Sequence, residues 1–205
     1  MAVGRYPYFS RAGWIPFGLC FIAGVLIVRS WGWAWSLPFW LACTLIVFMF
    51  RDPRRDIPSS PLAVVSPADG TLASIEEVSD PYLDRQAILM VINMSYTGVY
   101  STRSPVEGKV LEPRNCGDGS NRPHGVWIQT DEGDDLVVVM HRGPLHNLPH
   151  CYVRIGERVG QGQRCGYVPM GGMVEVYLPS NTRTLVTPGS QLKAGSDVIA
   201  TLVHK

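Results

Sequence analysis

The stretch Cys165-Gly-Tyr-Val-Pro-Met-Gly-Gly-Met-Val-Glu-Val-Tyr-Leu-Pro179 decides how this chain folds. A glycine pair, Gly171-Gly172, precedes the alternating apolar run Met173–Leu178. A turn signal followed by β-branched alternation is the local grammar of a strand, not of a helix. The same grammar recurs outward from it. It predicts strands at Ala63–Val65, Thr71–Ile75, Ala87–Ile92, Gly108–Leu111, Val126–Gln129, Leu136–Met140, Cys151–Ile155, Val174–Leu178 and Val198–Leu202, each bounded by Gly, Pro or Asp. From Val64 onward no window carries a 3.6-residue period, so a mainly β domain is expected over residues 56–205.

Two segments of this region share one pattern. Ile155-Gly-Glu-Arg-Val-Gly-Gln-Gly-Gln-Arg-Cys-Gly-Tyr167 and Thr187-Pro-Gly-Ser-Gln-Leu-Lys-Ala-Gly-Ser-Asp-Val-Ile199 both place glycines around an apolar residue ahead of a strand. That spacing suits the tight turns of a small sandwich or barrel and resembles the barrel-sandwich hybrid of biotinyl and lipoyl carriers. No lysine stands at a hairpin tip as a carrier requires, so a carrier role is not expected.

The N-terminal quarter is different in kind. Residues 14–50 contain five of the six tryptophans, and two uncharged apolar runs, Trp14–Val28 and Trp31–Phe50, separated by Arg29 and Ser30. A membrane-spanning helix needs about 20 apolar residues, which the second run meets alone and the first approaches if Arg29 snorkels. A secretory signal is disfavoured because a second apolar run follows at once and no small-x-small cleavage site intervenes. Arg5 and Arg11 before the runs and Arg51, Arg54 and Arg55 after them, against Arg29 alone between, place both ends on the cytoplasmic side. Residues 1–55 therefore read as a two-helix transmembrane hairpin with basic flanks. It anchors the β domain on the cytoplasmic face of an inner (cytoplasmic) membrane, with Trp31, Trp33, Trp35 and Trp40 in an interfacial belt.

The net charge of +1 gives no electrostatic case for a nucleic-acid partner. Five scattered cysteines without a CxxC pair argue against a disulfide framework and for a reducing compartment. His141, His146 and His150 lie close in sequence, but Pro144 and Pro149 break any regular face and no carboxylate or cysteine spacing completes a ligand set. No metal is expected. These histidines, with His124 and Arg103, are instead candidates for contact with a lipid headgroup: Arg103, His124, His141 and His146.

An ordered set of motifs adds a resemblance. Phe50-Arg-Asp-Pro-Arg-Arg55, Val65-Ser-Pro-Ala-Asp-Gly-Thr71, Met94-Ser95 with Arg103-Ser-Pro-Val-Glu-Gly108, and Gly171 with Val174-Glu-Val-Tyr-Leu-Pro179 follow one another along nearly the whole chain. Together they resemble the phosphatidylserine decarboxylase family in its short, membrane-anchored bacterial and archaeal form. The resemblance implies a pyruvoyl enzyme: a serine of a Gly-Ser pair breaks its own chain and becomes the pyruvoyl group, which serves the conversion of phosphatidylserine to phosphatidylethanolamine and carbon dioxide. It also implies an assisting aspartate and histidine. Asp69 stands at the aspartate position; read from its own residues, Asp69-Gly70 is also an ordinary turn pair. Tyr100 stands where the histidine is expected, and a phenol titrating at about 10 is a poor proton shuttle near neutrality. Gly172 stands at the position of the pyruvoyl-forming serine, and glycine has neither a hydroxyl to attack nor a β-carbon to eliminate from. Gly189-Ser190 and Gly195-Ser196 are the remaining downstream pairs, and both read as turns.

Three readings follow. The first is a family member that makes no pyruvoyl group, a pseudoenzyme needing no cofactor that binds aminophospholipid, a second copy of itself or an active homologue. The second is a working decarboxylase with pyruvoyl formed elsewhere. The third is a membrane-tethered scaffold.

Overall fold

The computed structural model describes residues 13–53, 55–58, 60, 62–95, 98–111, 124–143 and 148–203, with His124 described by its backbone alone. The chain divides into two compact units, Met1–Arg54 and Arg55–Lys205.

The first unit contains two helices, α1 (Trp14–Trp31) and α2 (Trp33–Met49). α1, with 18 residues, is long and apolar enough to cross a membrane, whereas α2 has 17. The break between them is not at Arg29, as expected from the charge, but at Gly32, whose φ of 89° is left-handed. Arg29 sits in the last turn of α1, where its charge complements the helix dipole. A charge does not end a helix; a glycine able to adopt positive φ does. The two helices fold back on each other: Gly24 admits Phe39 and Trp40, Phe21 meets the Trp40 ring edge-on at 5.4 Å, and Cys20 Sγ donates to the Phe39 carbonyl. Trp14, Ile15, Leu19, Trp31, Trp33, Trp35 and Leu41 point outward and exposed.

The second unit is β throughout its described residues. Its strands are β1 (Ala63–Val65), β2 (Gly70–Asp80), β3 (Arg85–Met94), β4 (Ser101–Arg103), β5 (Gly108–Leu111), β6 (His124–Gln129), β7 (Asp135–Met140), β8 (His150–Cys151), β9 (Arg158–Val159), β10 (Arg164–Tyr167), β11 (Met173–Pro179), β12 (Arg183–Thr184), β13 (Gln191–Leu192) and β14 (Val198–Thr201). Eight of them form one antiparallel sheet in the order β13-β2-β3-β11-β7-β6-β5-β9; β1-β14-β12 and β4-β10-β8 form two smaller sheets. The expected strand at Cys151–Ile155 reduces to His150–Cys151, because after Tyr152 donates to the Cys165 carbonyl the chain turns at Arg154–Glu157.

The register fixes the core. Val174 lies between Ile92 and Met140, and Val176 between Met90 and Val138, all essentially without solvent exposure. With Leu72, Ile128, Leu136 and Leu178 they form the main core. The alternate residues of β11 face the other way, where Tyr177 packs with Tyr82, Ala87, Val137 and Val139 in a second, smaller cluster. Because side chains alternate along a strand, Glu175 is directed to this second face.

Candidate functional site

The ends of four neighbouring strands coincide. Gly70 at the start of β2 pairs with Met94 at the end of β3, Met173 at the start of β11 pairs with Asn93, and Val174 pairs with Met140 at the end of β7. Asp69, Ser95, Gly172 and His141 are therefore the first residues beyond the ladder at one edge of the sheet. Backbone bonds tie them: Met94 N donates to the Gly172 carbonyl at 2.8 Å and Ser95 N to the Asp69 carbonyl at 3.3 Å. Gly70 is glycine by necessity, since a Cβ there would lie 2.1 Å from the Asn93 carbonyl oxygen.

Asp69 is more than a turn residue. Its Oδ2 accepts from Arg55 Nη2 at 2.6 Å, and its Oδ1 accepts from the Ala194 amide at 2.6 Å, from 125 residues away. The side chains of Arg55 and Asp69 are 17% and 13% exposed, so the pair is largely withdrawn from water. Such a pair is costly to break from one side, because the partner keeps its charge without compensation.

The glycine pair separates into two different cases. Met170 and Gly171 have φ of 60° and 77°, so the turn from Val168 runs through two left-handed residues, closed by Gly171 N donating to the Val168 carbonyl at 3.2 Å. Gly171 is glycine for its conformation. Gly172 has no left-handed φ, and room is what distinguishes it. A Cβ at Gly172 would lie 3.0 Å from Val168 Cγ1, 3.2 Å from the His141 carbonyl oxygen and 3.5 Å from that of Arg142. The wall it would meet is itself fixed. His141 N donates to the Met173 carbonyl at 2.9 Å, and a Cβ on Gly143 would lie 2.6 Å from both the Gly171 and Pro169 carbonyl oxygens.

Tyr100 reaches this corner through the backbone: its carbonyl accepts from Val168 N at 2.8 Å, and Val168 is the residue packed against Gly172. Its ring is 3% exposed and meets Tyr167 edge-on at 6.3 Å. Burial pushes the phenol further above its ordinary value, so it holds its proton throughout the physiological range. Gly98 fits closely between Ser95 and Asp69, with its Cβ position 3.3 Å from Ser95 Cβ and 3.4 Å from Asp69 Cβ.

On the second face, His141 and Glu175 are diagonal neighbours across β7 and β11, with Nε2 3.0 Å from Oε1. Tyr177 donates its hydroxyl to Glu175 Oε2 at 3.0 Å. Burial alone would raise the Glu175 carboxyl, but His141 and the Tyr177 hydroxyl outweigh it and hold the group below its ordinary value of 4.5. Sequence reading did not connect these residues. The signal was available: a histidine one step past a strand and a glutamate at an outward position of its neighbour.

The other sequence candidates scatter. Arg103 is not on the surface; it is 6% exposed and donates from Nη1 to the Gly162 carbonyl at 3.0 Å, with Gly195 packed against its Cδ. His124 begins β6 opposite Met140, at the same sheet end as the site. His146 lies outside the described residues. Ser190 and Ser196 are in turns, with their amides bonded to the carbonyls of Thr187 and Lys193. Among the described residues no group of three or more His, Cys, Asp or Glu is placed to hold a metal ion.

Comparison with known proteins follows this geometry closely in extent. The profile of the family described as phosphatidylserine decarboxylase matches residues 43–200. A phosphatidylserine decarboxylase proenzyme of Nitrosomonas europaea is 35% identical, over 95% of this chain and 95% of its own length. One of Aromatoleum aromaticum is 36% identical over 96% and 97%, and one of Burkholderia cenocepacia 35% identical over 96% and 97%. Among solved structures, the glucose permease IIA of Mycoplasma capricolum overlays 68% of this chain and 94% of its own with a TM-score of 0.44 and 23% identity, too remote a likeness to argue from.

Proposed function

The chain belongs to the phosphatidylserine decarboxylase family, and on that premise we propose that it is a member that makes no pyruvoyl group and acts by binding membrane phospholipid. One observation carries this reading. Gly172, at the family's serine position, offers neither hydroxyl nor β-carbon, and the closely packed Val168, His141 and Arg142 occupy the space beside it. The residues present do not fit a pyruvoyl group. Tyr100, at the histidine position, is a buried neutral phenol and adds no proton shuttle near pH 7.

Within this proposal residues 1–55 form a transmembrane hairpin whose ends both face the cytoplasm. Support comes from the apolar α1, the outward tryptophans and the arginines that follow α2. Residues 56–205 form a barrel-sandwich-like decarboxylase domain at the inner membrane surface, held near the phospholipids that its relatives are named for. Asp69 serves here as a structural carboxylate between Arg55 and Ala194. His141 and His124 remain the headgroup candidates at the sheet end.

The test is turnover. Purified full chain in mixed micelles containing phosphatidylserine should release no carbon dioxide above background, and hydroxylamine should change nothing. Hydroxylamine-sensitive production of phosphatidylethanolamine would overturn the proposal in favour of a working decarboxylase.

A further inference from the structure

We propose that the open edge of β2 receives a basic, extended peptide segment of a partner protein, which joins the eight-stranded sheet as a further antiparallel strand. Nothing in this depends on the phospholipid reading. β2 (Gly70–Asp80) is 11 residues long, but on its outer side β13 pairs only with Gly70 and Thr71. The last bonds there are Leu72 N to the Ser190 carbonyl at 3.0 Å and Gly189 N to the Leu72 carbonyl at 2.7 Å. In an antiparallel ladder the N–H and C=O of one residue point to the same side, and the side alternates along the strand. Met94 N donates to the Gly172 carbonyl, so the even-numbered residues of β3 bond toward β11 and the odd-numbered ones toward β2. Leu89 and Ala87 therefore bond to Glu76 and Val78, their partners in register. The alternating residues Ile75, Glu77 and Ser79 aim both backbone groups away from β3. The register shift between Leu72 and Ser74 moves this outward set from even to odd numbers. Among the described residues no backbone group bonds to Ile75, Glu77 or Ser79 on that side.

The side chains say what kind of strand fits. Ile75 is half-buried against the main core and Val78 against the cluster of Tyr82 and Tyr177, on opposite faces of the sheet. Each leaves apolar surface that an apolar residue of a neighbouring strand would cover. Between them Glu76 and Glu77 are exposed, one on each face, and among the described residues neither has an ion-pair partner. Farther along the hairpin Asp80 and Arg85 neutralise each other at 3.5 Å, and exposed Asp84 in the turn adds another acid. Adjacent acids on an open edge repel a second copy, because pairing β2 with its own image sets glutamate beside glutamate. The same charges attract a strand with basic residues at those positions. Opposite Val78-Glu77-Glu76-Ile75 the fitting order is apolar, basic, basic, apolar. Main-chain bonds to Ile75, Glu77 and Ser79 supply affinity, and the two charge pairs supply the choice of partner.

The experiment titrates the full chain in detergent, by calorimetry, with the probe peptide acetyl-Thr-Val-Lys-Lys-Val-Thr-amide. The wild type should bind it, and should bind the counterpart with Glu-Glu in place of Lys-Lys about 10-fold or more weakly. Paired opposite Ser79 to Ser74, the peptide turns the amides of its first Lys and second Val toward β2 and those of its first Val and second Lys away. N-methylation of the first set should weaken binding about 10-fold or more, and N-methylation of the second should leave it within about twofold. Both peptides keep the charges, so this comparison separates strand addition from simple ionic attraction, and it uses the wild-type protein throughout. The double variant Glu76→Lys with Glu77→Lys should keep the urea midpoint, since both positions are exposed, and should prefer the acidic peptide. No binding of the basic peptide, equal binding of the two N-methylated forms, or an unchanged preference in the folded double variant would each overturn the proposal. Wild-type dimers that the basic peptide separates would also overturn it and assign the edge to a second copy.

Discussion

Two corners of the same sheet end, one built on Asp69 and one on Gly172, have been treated very differently. At the Asp69 corner both carboxylate oxygens are engaged at 2.6 Å, one by a guanidinium and one by an amide 125 residues away. At the Gly172 corner the side chain is missing, and backbone carbonyls and a valine methyl approach the empty side of the α-carbon. The framework that holds the two corners together, Met94 on Gly172 and Ser95 on Asp69, is intact. The backbone framework of this sheet end is thus continuous across a position that carries no side chain.

The largest expected effect breaks the frame that both corners share. Gly70→Ala forces a Cβ to 2.1 Å from the Asn93 carbonyl and must part β2 from β3. We expect a loss of about 4 kcal/mol or more, or no folded protein, measured by urea unfolding of the β signal. Next, Asp69→Ala strands Arg55 and the Ala194 amide together and should cost about 2–4 kcal/mol; a loss within about 0.5 kcal/mol would show that this corner is not locked after all. Gly172→Ser sharpens the comparison from the other side. It should cost about 1–2 kcal/mol through crowding against Val168 and the His141 carbonyl. It should also leave the chain uncleaved, because Tyr100 still stands at the histidine position; gel mobility checks it.

The smallest effect lies on the second face. Glu175 has a folded-state value below its ordinary 4.5. A depressed carboxylate stabilises the fold above its unfolded value, and that contribution disappears as pH falls through the folded value. Stability should therefore decline below about pH 4.5, and Glu175→Gln should flatten that part of the profile by a fraction of a kcal/mol, read from unfolding midpoints between pH 6 and pH 3. If the acid limb is unchanged in the variant, His141 and Tyr177 do not hold the carboxylate as described.

Much of the fold was legible because long strands carry alternation. Ala63–Val65 and Gly108–Leu111 are strands within the very bounds that the pattern predicts, and Val174–Leu178 lies inside β11. Two-residue strands such as Arg158–Val159, Arg183–Thr184 and Gln191–Leu192 were not legible, since two residues have no period and their partners are remote in sequence. The helix break was misplaced at Arg29 because charge is conspicuous in an apolar run, whereas backbone handedness at Gly32 decides it. In the site, motif order pointed to Asp69, Tyr100 and Gly172; Asp69 and Gly172 lie at one end of the sheet, and the Tyr100 carbonyl accepts from Val168, which packs against Gly172. What no local pattern could give was their long-range partners: Arg55 and Ala194 for Asp69, Val168 for Gly172, and Glu175 for His141. Arg103, expected as a headgroup contact, is buried, and a single arginine carries no mark of burial in sequence; its place under Gly195 comes from tertiary packing.

The central claim, that this chain is never cut to form a pyruvoyl end, is tested most directly by the intact mass of the purified, detergent-solubilised protein. The account predicts one species at the 22.6 kDa of the full sequence. Two fragments, the smaller with a blocked N-terminus, would contradict it and would identify from the break which serine had taken the place of Gly172.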